Sequence, residues 1–271
     1  MMKTAKEYFQ DGKLADAIER QTLEVKAKPA DVAARTFLFE LLCFGGDYDR
    51  AEKQLDVIAH QSKEMEVGAE IYRQVLSAER ARRAVFLNGR NPDFLTTPPD
   101  YAALHLEALA LQRENHPEKA RALLEQALDM HPALPGEADG LRFREFEDAD
   151  LFLGPFLELI VNEKYAWLPF EQIKRIEIAK PSQLRDLLWV RAKLEARGGD
   201  LGDVFLPVLY SGSADHPDDA IKIGRQTGWV EAGAGLMRGA GQRLFAIDGN
   251  DKVMLEITEV SFDSNGDVIS T

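Results

Sequence analysis

The sequence predicts an α+β protein, with a tetratricopeptide-like α-helical repeat domain over residues 1–162 and a small β-rich, barrel-like domain over 163–271. Three observations carry this reading. A glycine followed by a small residue recurs at a 34-residue interval in the first half. Apolar residues there follow helical spacing. After about residue 162 the pattern changes to short alternating runs broken by glycine turns.

The repeat is read from its punctuation. Gly12 is followed five residues later by Ala17, and Gly46 five later by Ala51, in phase with one another. A third copy runs Asn115-His116-Pro117-Glu118-Lys119-Ala120. Pro29 lies 12 residues after Ala17, and Pro132 lies 12 after Ala120. Each glycine closes a first helix by entering the left-handed region, where a side chain is strained. Each alanine sits where the second helix crosses the first, and each proline stops that second helix. In the third copy Ala120, Leu123, Leu124, Ala127 and Leu128 fall on one face. The second copy departs from the pattern, with Lys63 at the proline position. A longer helix follows from about Val67 to Leu87, ending at Asn88-Gly89 before a proline-rich break from Asn91 to Pro99.

Leu141 to Val161 is expected to be at least partly helical, with Phe146, Leu153, Phe156, Leu157 and Ile160 apolar. Tyr165 to Pro169 and Ile173 to Ile178 read as strands. In 188–195, Val190, Ala192 and Leu194 alternate with Arg191, Lys193 and Glu195. Gly198-Gly199-Asp200 makes a turn, and Val204 to Tyr210 has the continuous apolar character of a strand buried on both faces. Leu244–Ile247 and Val253–Ile257 flank the turn Asp248 to Asp251 as a hairpin.

Composition narrows the function. A net charge of -13 repels phosphate backbones and argues against nucleic acid as a partner. The one cysteine, Cys43, lies in an apolar run and suits a small buried side chain in a reducing compartment. No signal-peptide run and no stretch of 18 apolar residues occurs, so a cytoplasmic location without membrane contact is expected.

No catalytic, cofactor-binding or metal constellation emerges. Of His60, His105, His116, His131 and His216, three precede proline and none has metal-ligand spacing. Asp215-His216-Pro217-Asp218-Asp219 could hold a cation but equally composes a solvated turn. Gly233 to Gly239 has Arg238 where a dinucleotide loop needs glycine. Asp248–Asp251 and Asp263–Asp267 are fragments of calcium loops without the closing glutamate. An enzyme with its site near Asp215 to Arg225 is the weakest of the readings. A binding module is favoured, since helical repeats present concave surfaces to peptides and helices. Arg35 and Phe39, on inner faces of first helices, are candidate contacts. Trp167, Phe170, Trp189 and Trp229 read first as core and second as exposed interface anchors.

Several less common motifs share one order: Glu145 to Asp150, Leu153 to Glu158, Trp167-Leu168-Pro169-Phe170, Arg185 to Trp189, Val204 to Tyr210, Asp218 to Arg225 and Gly239 to Leu244. Together they resemble the ImpE family, also called SciE or TagJ, of type VI secretion accessory proteins. The resemblance spans essentially the whole chain and is most specific from 145 to 260. It implies a non-enzymatic accessory without a cofactor that binds the small sheath subunit by that subunit's N-terminal helix. It also implies a role in sheath assembly or disassembly, with the sheath-disassembling ATPase as a further partner. The alternative is a general repeat-type adaptor or chaperone-like regulator unrelated to the sheath.

Overall fold

The computed structural model describes residues 3–263. Helices come first: α1 (Ala5–Gln10), α2 (Leu14–Ala27), α3 (Val32–Phe44), α4 (Tyr48–Ala59) and α5 (Lys63–Asn88). The short strand β1 (Asp93–Phe94) precedes α6 (Tyr101–Arg113) and α7 (Pro117–Leu128). Helix starts are set locally. Thr4, Asp31, Asp47 and Ser62 each accept the backbone N–H three residues on, satisfying a donor the helix leaves unpaired. The hairpins α1–α2 and α3–α4 turn at Gly12 and Gly46, and α6–α7 turns at Asn115, all with positive φ. Ala17, Ala51 and Ala120 are fully buried where paired helices meet. Ser62 starts α5 almost directly after α4.

Strands follow: β2 (Gly136–Ala138), β3 (Leu141–Phe143), β4 (Phe146–Asp148), β5 (Phe156–Val161), β6 (Lys164–Pro169), β7 (Ile173–Ile178), β8 (Trp189–Ala196) and β9 (Gly199–Pro207). The one-turn helix α8 (Asp219–Lys222) leads to β10 (Thr227–Gly233), β11 (Leu236–Gly241), β12 (Leu244–Ile247), β13 (Asn250–Val253) and β14 (Glu259–Phe262). Nine strands form one sheet in the order β1-β6-β5-β9-β8-β7-β14-β2-β3. A three-stranded sheet, β13-β12-β4, and the β10–β11 hairpin complete the set.

Three expectations are corrected. The sheet is open, not barrel-like: its outermost strands β1 and β3 do not pair. Helix α5 packs across β6 and covers apolar surface that a barrel would hide by closing. No helix spans 141–161. Phe156 to Val161 is buried at every position, so its apolar residues serve two faces of a strand and mimic helical spacing. The boundary at 162/163 falls in the β5–β6 turn, where Asn162 and Glu163 have positive φ, and strand replaces helix earlier, after α7.

The helical layer packs against the protein's own β region. Arg185 bonds Glu40 on α3 at 3.1 Å and the Tyr72 hydroxyl on α5 at 2.8 Å. The Trp189 indole N–H donates to Glu79 at 3.0 Å. Asp219 accepts the Leu14 N–H at 2.8 Å, and Arg225 donates to the carbonyls of Gln10 and Phe9 at 2.7 and 2.9 Å.

A buried ionic network lies at the centre of this contact. Glu158, in the middle of β5, receives Arg82 of α5 through two bonds of 2.8 and 2.9 Å. Its carboxylate also takes Arg243, which in turn pairs with Asp148 of β4. Arg82 reaches Glu79 at 3.3 Å and the Leu209 carbonyl at 2.8 Å. Tyr165 donates to Glu158, and the Trp167 indole donates to Tyr165. Asp150 accepts Arg238 at 2.9 Å and the Gly239 N–H at 3.0 Å. Burial alone would raise the Glu158 pKa, but Arg82 and Arg243 outweigh it and hold the carboxyl well below its ordinary range. Asp148 goes the other way. Burial first, then the nearby acids Asp150 and Glu158, push it to about 7 despite Arg243.

Three outcomes are expected from equilibrium denaturation. Ala51→Leu overfills the α3–α4 crossing and costs about 1–3 kcal/mol, while Leu23→Ala, at a side chain 52% exposed, stays within about 0.5 kcal/mol of wild type. Arg243→Met takes the cation from buried Asp148 and leaves Glu158 with Arg82 alone, and costs about 3–5 kcal/mol. Loss of the half-exposed Lys252–Asp139 pair costs under about 1 kcal/mol. Because the folded state keeps a proton on Asp148 between its ordinary 3.8 and about 7, that group's stabilisation is complete at low pH and disappears as pH rises through this window. The stability of wild type minus that of Asp148→Asn therefore falls from pH 4 to pH 7; a rising difference would contradict the assignment.

Candidate interaction surface

The residues singled out from sequence separate into buried and accessible ones. Trp167, Phe170, Trp189 and Phe39 are core. Trp167 packs on Phe156 with ring centroids 5.0 Å apart, and Phe170 on Phe146 at 5.0 Å. Phe39 meets Tyr72, which meets Trp189. None of these four can touch a partner without local opening, which corrects the second reading of Trp167, Phe170 and Trp189 as exposed anchors and the reading of Phe39 as an inner-face contact. Arg35 is half-buried and engaged: it donates to the Pro29 carbonyl at 2.7 Å and to Gln54 at 2.8 Å, tying the α2–α3 loop to α4. Trp229 is accessible, 38% exposed beside the exposed Val230 on β10.

The polar clusters have structural partners. Asp215 pairs with Arg83 at 3.0 Å, Asp218 caps α8 through the Ala220 N–H at 2.8 Å, and Asp219 takes Leu14 and Lys222. The His216 ring accepts the Asp218 N–H at 3.0 Å. Among the described residues no group of three or more His, Cys, Asp or Glu side chains is placed to hold a metal. The run Gly233-Ala234-Gly235 is the turn of the β10–β11 hairpin, with all three residues at positive φ. Further along β11, a Cβ on Gly239 would come within 2.5 Å of the Tyr210 ring. One on Gly241 would approach the Gln226 carbonyl oxygen to 2.0 Å. These glycines serve close packing and not phosphate binding. Of the calcium-loop fragments, Asp248 instead accepts the backbone N–H groups of Arg144 and Glu145. The other, 263–267, extends beyond the described residues after Asp263.

A cleft of about 650 Å³ opens between the end of α7, the segment 131–134, and β4 with its approach at 144–147. Its floor includes Phe146 and Phe170, both buried. Leu128 lines it at 57% exposure, and Met130, 43% exposed, follows two residues on. Glu145, Glu147 and Glu171 line it against a single arginine, Arg144. Burial, then the charge of Glu145, pushes the Glu147 carboxyl above its ordinary value. Burial does the same to Glu171, although Tyr101 donates to it and Arg197 lies near.

His131 forms part of the cleft wall and leads inward to His105. Their Nε2 atoms are 3.2 Å apart with ring centroids at 5.4 Å, so the rings meet end to end. His105 Nδ1 lies 3.0 Å from the Phe152 carbonyl and must donate to it, which leaves His105 Nε2 to accept from His131. Burial lowers both imidazoles to about 4, so the pair is neutral and serves as a fixed wall near neutral pH.

Sequence reasoning missed the ionic network and this cleft. A signal for the first was present: Glu158 stands alone in Phe156-Leu157-Glu158-Leu159-Ile160-Val161, and a charge within a doubly buried strand requires a buried counter-charge. Arg82 and Arg243 had no such local signature, and the cleft is assembled from segments more than forty residues apart.

The comparisons with known proteins agree with one another. A family model described as ImpE protein matches residues 140–261, from β3 to β14. A curated relative from Pseudomonas aeruginosa, named type VI secretion system accessory component TagJ, is 37% identical over 259 residues, covering 96% of this chain and 91% of its own length. The crystal structure of protein VPA1032 from Vibrio parahaemolyticus shares the fold, with a TM-score of 0.88, 23% identity, and coverage of 96% of this chain and 97% of that one. The conserved-order motifs seen in the sequence contain Asp148, Asp150, Glu158, Trp167, Trp189 and Arg243, so the resemblance coincides with the network that joins helices to sheet. With a relative this similar over almost its full length, the chain belongs to the ImpE family.

Proposed function

We propose that this protein is a non-enzymatic accessory of a type VI secretion system, acting in the cytoplasm as a binding protein for the small sheath subunit. The observation that carries the proposal is the 37% identity to the TagJ accessory component across 96% of the chain. The partner surface on the sheath subunit is its N-terminal helix, and binding assists sheath assembly or disassembly. The sheath-disassembling ATPase is a further partner in this reading. No helix among the described residues is long and apolar enough to cross a membrane, which fits such a role. The helical hairpins act as a tetratricopeptide-like repeat in their spacing. With the helical layer packed against the β region, recognition takes place on outward surfaces.

The test is titration against a labelled peptide carrying the cognate small sheath subunit's N-terminal helix, with a scrambled peptide of equal charge as control. Saturable binding of the native peptide alone is expected. With a net charge of -13, association with a basic helix slows as salt rises. Equal binding of both peptides, or of neither, rejects the sheath reading.

A further inference from the structure

We infer that the cleft between the end of α7 and β4 is the docking groove for an amphipathic, cationic segment of a protein partner, its apolar side chains against Leu128 and Leu134 and a lysine or arginine against Glu145 and Glu147. The inference rests on the reading of this chain as a binding protein and adds the location and chemistry of the contact.

Three observations lead there. The volume, about 650 Å³, matches that of pockets that enclose several side chains. Its rim exposes Leu128, and Met130 follows two residues on; both are large apolar side chains that the described residues leave exposed. Its charge is one-sided. Neither Glu145 nor Glu147 makes an ion pair with the described residues, although most surface carboxylates nearby, such as Asp139 and Asp263, have a cation. A half-buried carboxylate next to a second one gains most from an incoming ammonium or guanidinium group, which removes repulsion and desolvation cost together. An anionic ligand would meet three carboxylates and one arginine, so phosphate, nucleic acid and acidic peptides are disfavoured.

The other accessible features fit a partner less well. The hollow on α2 and α4 is lined by Ile18 and Leu23 but has Lys26 and Arg50 against Glu19, so its charge selects nothing. Trp229 and Val230 lie on a two-stranded ribbon. The cleft combines an exposed apolar rim with unpaired charge of one sign.

The His105–His131 contact lies along one wall, and the β4–β12 pairing holds the other. A preformed groove spends little binding free energy on ordering itself.

The experiment uses Met130→Cys in the full chain, labelled with an environment-sensitive fluorophore. Cys43 is buried and burial pushes its thiol pKa well up, so the label goes to the rim. Three peptides are titrated: the small sheath subunit's N-terminal helix, the same peptide with lysines and arginines changed to glutamate, and a designed leucine–lysine amphipathic peptide. Calorimetry on the unlabelled protein runs in parallel. The groove predicts a saturable fluorescence response to both cationic peptides and none to the acidic one. Glu145→Lys with Glu147→Lys weakens binding at least tenfold, and the milder Glu145→Gln with Glu147→Gln weakens it several-fold, in proteins whose circular dichroism is unchanged. Leu23→Asp, on α2, leaves binding unaltered. If the sheath peptide binds by calorimetry without a rim response and with full affinity for both double variants, the groove is overturned while the sheath reading stands. If only the designed peptide binds, with the same glutamate dependence, the groove stands and the sheath reading falls. Binding of neither cationic peptide overturns both.

Discussion

Glu158 has an arginine on each side of it, one from α5 and one from the start of the segment leading into β12, and no water-exposed route for its charge. A carboxylate in that position is tolerable only while both cations are in place, because an unpaired buried charge costs several kcal/mol. Arg82 and Arg243 are bound by the same condition. Each must find its carboxylates or leave a guanidinium stranded in the core. The helices and the sheet are therefore held in one relative position by geometry as well as by apolar contact. Displacing α5 by one turn would take Arg82 from Glu158 and the Leu209 carbonyl, and Glu79 from the Trp189 indole.

This locking determines which surfaces remain available. A helical repeat usually offers its concave side to ligands. Here Arg185 and Trp189 bond Glu40 and Glu79 on the helices, and Asp219 and Arg225 bond the turn between α1 and α2. The helices thus serve as scaffold where they meet the β region, which leaves to solvent the seams where helix ends and strand edges meet at the surface. The cleft below α7 is such a seam, built from both halves of the molecule.

How much of this was legible in the sequence depended on how local the causes are. Gly12, Gly46 and Asn115 announce helical hairpins because a left-handed turn is a property of one residue. Ala17, Ala51 and Ala120 announce crossings because only a small side chain fits there. Strand β8 was readable from alternation, and β6 and β7 from short apolar and isoleucine-rich runs. By contrast, 141–161 was misread because β5 is covered on both faces and has no period-two pattern to display. β1 hides in a proline-rich break, since two residues pairing in parallel with β6 leave no local trace. The tryptophans at 167 and 189 were placed correctly in their first reading, as core, because indoles bonded to Tyr165 and Glu79 can be buried without penalty. The network itself depends on pairs 76 and 85 residues apart, and pairing at that range is a property of the fold.

The place of β14 has a bearing on how the molecule is made. It lies between β7 and β2, pairing Val260 with Ile176 on one side and with Ala138 on the other. The β2–β3 hairpin has no other neighbour in the sheet, so it waits for a strand synthesised about 120 residues later. Arg243 is similarly the last member of its ion cluster to leave the ribosome. The helical hairpins close through neighbours in sequence and can form as they emerge. The sheet, by contrast, acquires its inner strand and the core acquires its final cation only once Arg243 and β14 have been made, so a nascent chain halted before that point carries folded helices over an unfinished, apolar-edged sheet.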